Sequence, residues 1–321
     1  MKYAIMCYDA GRKNFNIGDY IQSLAARQFL PRCDTYINRE ELSLYSGEPV
    51  KLIMNGWFMC KPQNWPPAPA IDPLIVAFHI RDQRADQLAA GAGKEFLLAH
   101  APVGCRDRHT CAELEERGIP AHYTSCLTLT LGNTYKADGA SGKIYFVDVL
   151  CKEPRWRKAF SNWRMFKSVY RRGVLFHPFR RKRILSKLLN HPDFARAEEL
   201  TQHFACADFP TQKERFEFAA KRLEEFSHAR LVVTSRIHCA LPCLAMGVPV
   251  IFVNGGFADD DAQGRVGSFF DLFNTISIDE KGKVKTNFDP ATILTDAFKN
   301  PTHHLPFAEE LTRRCKEFIN S

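Results

Sequence analysis

The chain has 321 residues, more than the ~100–200 of an ordinary domain, and its length predicts two domains. With 45% hydrophobic and 25% charged residues it is composed like a soluble globular protein, which excludes a mainly disordered chain. Its formal charge of +8 favours anionic partners: phosphorylated or carboxylated metabolites, nucleic acid or an acidic membrane surface.

Residues 2–9 read as a first strand, followed by the polar loop AGRKNFNIGD. Asp19 stands where a helix N-cap belongs, and Tyr20, Ile21, Leu24, Ala25 and Gln28 carry a helical period. KLIMNGW (51–57) and PLIVAFHI (73–80) predict buried strands, and FLLAHAPVG (96–104) a strand then a loop. Asp107 is placed to cap a helix through Arg117 that Gly118 ends, and IPAHYTS (119–125) predicts the next strand. ADGASGK (137–143) breaks this rhythm and places a domain boundary near residue 140. Beyond it come a helix at about 212–228, a strand at 230–234, a helix ending at Gly247, a strand at 249–253 and a last helix at about 306–319.

Short apolar runs alternating with helices imply parallel sheets. The expected fold class is therefore α/β, with two Rossmann-like domains facing a cleft: 1–140 and 141–305, with 306–321 as a terminal helix packing back on the first. Ligands of such sheets bind at the C-terminal ends of strands. That rule selects three loops. Loop 10–19 holds Asn16, Gly18 and Asp19, where a glycine lets backbone amides approach a ligand. Loop 101–107 sets Arg106 just before a helix start, suited to a carboxylate or phosphate. Loop 234–239 places Ser235, Arg236 and His238 at a strand end, a fixed fork of donors beside a group that titrates near neutral pH. Each has a plain structural reading too: a capped turn, a surface ion pair, a satisfied histidine.

Other features carry less. The eleven cysteines lie mostly singly in apolar runs, and Cys105/Cys111 and Cys239/Cys243 lack the spacing of a zinc site. They read as buried thiols of a reducing compartment. Thr201-Gln202-His203 is a polar cluster, and Arg265 could add a cation to the cleft. Asp259-Asp260-Asp261 reads as a solvated loop rather than a metal site, and no metal is expected. The N-terminus lacks the length and hydrophobicity of a signal peptide, and no run approaches the ~18 apolar residues of a membrane span, so a cytoplasmic protein is expected. Dinucleotide, hydrolase and kinase motifs are absent.

Three stretches carry a resemblance. PVGCRDRHTCAELEERGIPAHYTSCLTLTL (102–131), NIGDYIQSLA (16–25) and LVVTSRIHCALPCLAMGVPVIFV (231–253) resemble, in order, segments of polysaccharide pyruvyl transferases. The resemblance implies a glycosyltransferase-B-like fold and transfer of pyruvate from phosphoenolpyruvate to a sugar as a cyclic ketal, with neither metal nor cofactor. It implies a donor site of Arg106, Arg236 and His238 with Ser235, and, on weaker matches, Thr201, His203 and Arg265. His238 and Arg236 would be catalytic, His238 as acid or as base. Asn16, Gly18 and Asp19 match the family's amino-terminal motif, on the acceptor side.

Residues 153–183 interleave cations with Trp156, Trp163, Phe166, Tyr170, Phe176 and Phe179. This pattern fits an amphipathic helix with buried rings, or peripheral contact with an anionic inner leaflet that bears a lipid-linked acceptor, undecaprenyl-linked for instance. No nucleic-acid module accompanies it, and no nucleic-acid partner is expected. Two other functions fit the same fold: a nucleotide-sugar glycosyltransferase, and a non-catalytic sugar- or anion-binding protein.

Overall fold

The computed structural model describes residues 1–9, 11–150, 177–189, 191–254, 267–279 and 282–321. Asp259–Asp261, Arg265 and the aromatic residues from Trp156 to Phe176 lie outside the described residues, as does the side chain of Phe179.

The first half runs β1 (Lys2–Cys7), β2 (Asn14–Asn16), α1 (Ile17–Arg27), β3 (Thr35–Asn38), β4 (Val50–Phe58) and β5 (Ile71–Ile80). It continues with α2 (Asp82–Leu88), α3 (Gly91–Ala99), β6 (Val103–Cys105), α4 (Arg108–Glu116) and β7 (Ala121–Tyr123). The second half holds β8 (Ile144–Val147), α5 (His177–Leu188), β9 (Glu198–Leu200), β10 (His203–Ala205), α6 (Gln212–Ser227) and β11 (Leu231–Thr234). Then come α7 (Ile237–Met246), β12 (Val250–Asn254), β13 (Asn274–Ile278), β14 (Val284–Thr286) and α8 (Leu305–Asn320).

The chain is α/β. One six-stranded sheet, β3-β1-β4-β5-β6-β7, is parallel throughout. The other, β14-β13-β12-β11-β8-β9, is parallel except for β14. β4 and β5 are buried almost end to end, as strands covered on both faces must be. On β11 the alternation is visible: Val232 faces an apolar cluster continuous with the first sheet, while Leu231 and Val233 face a second cluster with Ile251, Val253 and Ile276.

Two expectations are corrected. The N-cap of α1 is Asn16, whose side chain accepts from Gly18 N at 3.0 Å, and Asp19 lies in the first turn. Residues 96–99 are helical and end α3; Leu97 is buried and Phe96 packs edge-on against Trp65, so the apolar run is a helix face. The strand begins only at Val103, past Pro102.

The halves are joined at several places. β2 and β10 pair antiparallel, with Asn16 opposite His203, and Ile17 N donates to Gln202 O at 2.9 Å. Helix α1 packs on both α6 and α7. Helix α8 returns to the first sheet, where Phe307 meets Tyr123 and Ser321 Oγ accepts from Lys51 Nζ. Among the described residues no helix is long and apolar enough to cross a membrane, and no group of side chains has the makings of a metal site. The ten described cysteines are free thiols.

Candidate active site

Each sheet has a point where strand order reverses, and there the loops diverge to leave a crevice. In the first sheet it is β1, between β3 and β4; in the second it is β8, between β9 and β11. The selected loops 10–19 and 234–239 follow β1 and β11.

At the second crevice, hydroxyls tie the strand ends. Thr234 Oγ1 donates to Val147 O (2.8 Å) and accepts from Arg236 N (3.0 Å). Ser235 Oγ donates to Val253 O (2.7 Å) and accepts from Leu150 N (2.9 Å), so its proton is committed to backbone. Beside them Asp148 holds a positive φ of 46° and a buried carboxylate. Its Oδ2 takes Arg236 Nε and Gln202 N, both at 2.9 Å. Arg236 is thus aimed from one edge while its side chain stays 23% exposed.

His238 sits in the first turn of α7 with ψ of 16°, out of helical range. Pro242 lies four residues on, where it has no N–H to give the His238 carbonyl and its ring crowds that carbonyl. Gln202 Nε2 fills the vacancy, donating to His238 O at 3.1 Å. Gly18 touches the same residue from the other half: a Cβ added there would lie 2.9 Å from His238 Cβ. A side chain there would have to push His238 or the start of α1 aside.

Arg106 extends from the end of β6 with only 3% exposure. Among the described residues its guanidinium makes one long hydrogen bond, Nη1 to Gln22 Oε1 at 3.3 Å, while its buried Nε lies 3.9 Å from Asp107 Oδ2 and makes no hydrogen bond. The next residue, Asp107, caps α4 by accepting from Thr110 N and Oγ1, both at 2.9 Å, and meets His79 Nδ1 at 2.7 Å. Burial alone would raise the Asp107 pKa, but His79, Arg106 and the Thr110 N–H outweigh it and hold it at about 2.

A cavity of about 300 Å³ opens at the C-terminal ends of β1, β3 and β4, lined among others by Tyr8, Asp9, Arg12, Asn16, Asp19, Arg39 and His203. Arg39 is buried against Glu40 (2.8 Å) and stacked between the Tyr8 and Trp57 rings. Burial pushes the Asp19 pKa up, while Arg39, Arg106 and His203 pull against it. A wider groove of about 430 Å³, between α8 and the 3-10 helix Leu127–Asn133, holds none of the predicted site residues.

The family model for polysaccharide pyruvyl transferase matches residues 86–256, just over half of the chain. The chain belongs to the polysaccharide pyruvyl transferase family. No curated protein matches it. The match includes Arg106, Thr201, His203, Ser235, Arg236 and His238, and stops short of Asn16, Gly18 and Asp19 on one side and Arg265 on the other.

In this pyruvyl transferase family member the structure brings Gly18 against His238, Asn16 beside His203, and Asp19 within electrostatic reach of Arg106 and His203. Thr201 is exposed and accepts from His203 N. Sequence reasoning missed Asp148, Gln22, Arg39 and His79 and gave Gln202 no role. Only one signal was available: a proline four residues after His238 announces a carbonyl that needs another donor.

Proposed function

We propose that the protein transfers pyruvate from phosphoenolpyruvate to two hydroxyls of a sugar in a polysaccharide or its lipid-linked precursor, forming a cyclic ketal. The observation that carries this reading is the Arg106 guanidinium, buried with an Nε that makes no hydrogen bond among the described residues and has Asp107 Oδ2 only at 3.9 Å. A buried cation short of acceptors calls for an anion. Phosphoenolpyruvate brings two, a carboxylate and a phosphate, and Arg236 is the second holder. The two sheets act as the lobes of a glycosyltransferase-B-like pair, with 1–140 on the acceptor side and 141–305 on the donor side. The steps draw on side chains alone, and the donor is itself a substrate.

The enol ether is inert until C3 is protonated, a task for His238. Protonation leaves an oxocarbenium-like centre at C2, beside which the donor anions are held. One sugar hydroxyl attacks C2, phosphate leaves, and the second hydroxyl closes the ring. Of the two hydroxyl protons, one replaces that given to C3 and the other leaves with hydrogen phosphate. The interleaved cations and rings of 153–183 support peripheral contact with the anionic leaflet that would carry a lipid-linked acceptor.

The test is phosphate release on incubation with phosphoenolpyruvate and a galactoside. The wild type should release phosphate. His238→Ala should keep its melting temperature and lose about 10²–10⁴-fold in rate. Wild-type turnover in that variant would remove His238 from the chemistry. A nucleotide-sugar glycosyltransferase would be inert to phosphoenolpyruvate.

A further inference from the structure

Ketal formation needs a proton donor to C3 and a proton acceptor for the attacking hydroxyl, and one imidazole cannot be both at the same instant. The pocket at the ends of β1, β3 and β4 contains two carboxylates, Asp9 and Asp19. Asp9 is exposed and accepts from Gly11 N at 2.9 Å, a contact internal to its loop. Asp19 is half-buried in the first turn of α1, directly after the glycine that touches His238. One turn on, Gln22 reaches both sides: its Nε2 lies 3.4 Å from Asp19 Oδ1 and its Oε1 accepts from Arg106 Nη1 at 3.3 Å. A single amide therefore links this carboxylate to the arginine that would hold the donor.

The pocket suits a sugar. Its volume of about 300 Å³ is at the low end for small-molecule sites, and Arg12, Asn14, Asn16 and His203 offer polar groups around the carboxylate. The charged and titratable groups around Asp19 come from every side: Arg39 and Glu40 after β3, Arg106 after β6, His203 on β10, Tyr8 after β1 and Tyr20 on α1. Burial makes it more basic than a surface carboxylate, and Arg39, Arg106 and His203 act against that rise.

We propose that Asp19 is the general base of the transfer, taking the proton of the sugar hydroxyl that attacks C2 while His238 acts as the acid. This rests on the pyruvyl-transfer reading. The O–H bond breaks toward Asp19 as the new C2–O bond forms. Asp19 then passes that proton to the departing phosphate, and the closing hydroxyl returns a proton to His238.

Wild type, Asp19→Asn and Asp19→Glu are compared with phosphoenolpyruvate and methyl galactoside, glucoside and mannoside, following phosphate release, its pH profile and donor-induced thermal stabilisation. Asp19→Asn should keep the stabilisation, which also shows that it folds and binds donor. It should lose about 10²–10⁴-fold in release and the acid limb of the kcat profile. Asp19→Glu should recover part of the rate. Wild-type release by Asp19→Asn overturns the proposal, and so does joint loss of stabilisation and release in both variants, which would make Asp19 a donor-site residue. If the wild type itself releases no phosphate with any of the three, the pyruvyl-transfer reading falls instead.

Discussion

Arg106 and Arg236 both follow a parallel strand, yet the fold treats their charges in opposite ways. Arg106 is almost wholly buried, and its neighbour Asp107 is locked into the core by His79 and Thr110. Arg236 keeps a quarter of its side chain in solvent and leans on one carboxylate, Asp148, from the adjacent strand end. Removing an ion from water costs several kcal/mol, so a buried cation requires surroundings that also hold the fold together. A partly exposed one can be aimed by a single contact and still face a ligand. The first half thus stakes stability on its cation, and the second half stakes geometry.

The sharpest way to break this comparison is at Asp107. Asp107→Ala removes a helix cap and leaves His79 without its carboxylate, and is expected to cost about 3–5 kcal/mol by denaturant unfolding. The acid dependence follows from the same carboxylate. Its folded pKa of about 2 lies below the ordinary 3.8, so its contribution is present above about pH 4 and disappears as pH falls toward 2. The depression corresponds to roughly 2 kcal/mol. Asp107→Asn should lack that pH-dependent part; an unchanged acid-unfolding curve would show that Asp107 is not held as described.

Gly18 tests the other half. Gly18→Ala would set a methyl group 2.9 Å from His238 Cβ and 3.2 Å from Asn16 Oδ1. Overpacking of this kind costs about 1–3 kcal/mol. Turnover should suffer more than stability, by about 10²-fold, because displacing a reacting group by ~1 Å is that damaging. Activity at the wild-type level would mean that the two halves do not meet at His238 during the reaction.

How much of this was visible in the chain depends on how far apart the partners are. The caps and stops of α4 and α7 are local: Asp107 three residues before Thr110, and Gly247 at a φ of 86°. They could be read directly from residue types. The strand-end loops followed from the alternation of elements and one topological rule. Asn16 was passed over as a cap because Asp19 has the same propensity, and only the pairing of β2 with β10 fixes where the helix begins. Asp148–Arg236 and Gln22–Arg106 join residues 88 and 84 positions apart, and no local pattern encodes such contacts. Asp148 is also in a left-handed conformation that asparagine, aspartate or glycine would tolerate alike, so its residue type did not point to it.

The smallest effect is expected at Gln202, where the comparison becomes most specific. Gln202→Ala keeps the backbone bonds to Asp148 and Ile17 and deletes only the amide that serves the His238 carbonyl. One such bond is worth about 1 kcal/mol, and a loosened His238 should lower kcat about tenfold with little change in KM for phosphoenolpyruvate. A second substitution separates stability from aim. Pro242→Ala supplies the missing N–H four residues after His238, so in the Gln202→Ala background it should restore stability by closing a regular helical turn. Regularising that turn draws His238 away from its ψ of 16°, and turnover should stay low. If the two losses of stability simply add, the carbonyl freed by Pro242 is not what Gln202 serves, and Gln202 does not set the position of His238.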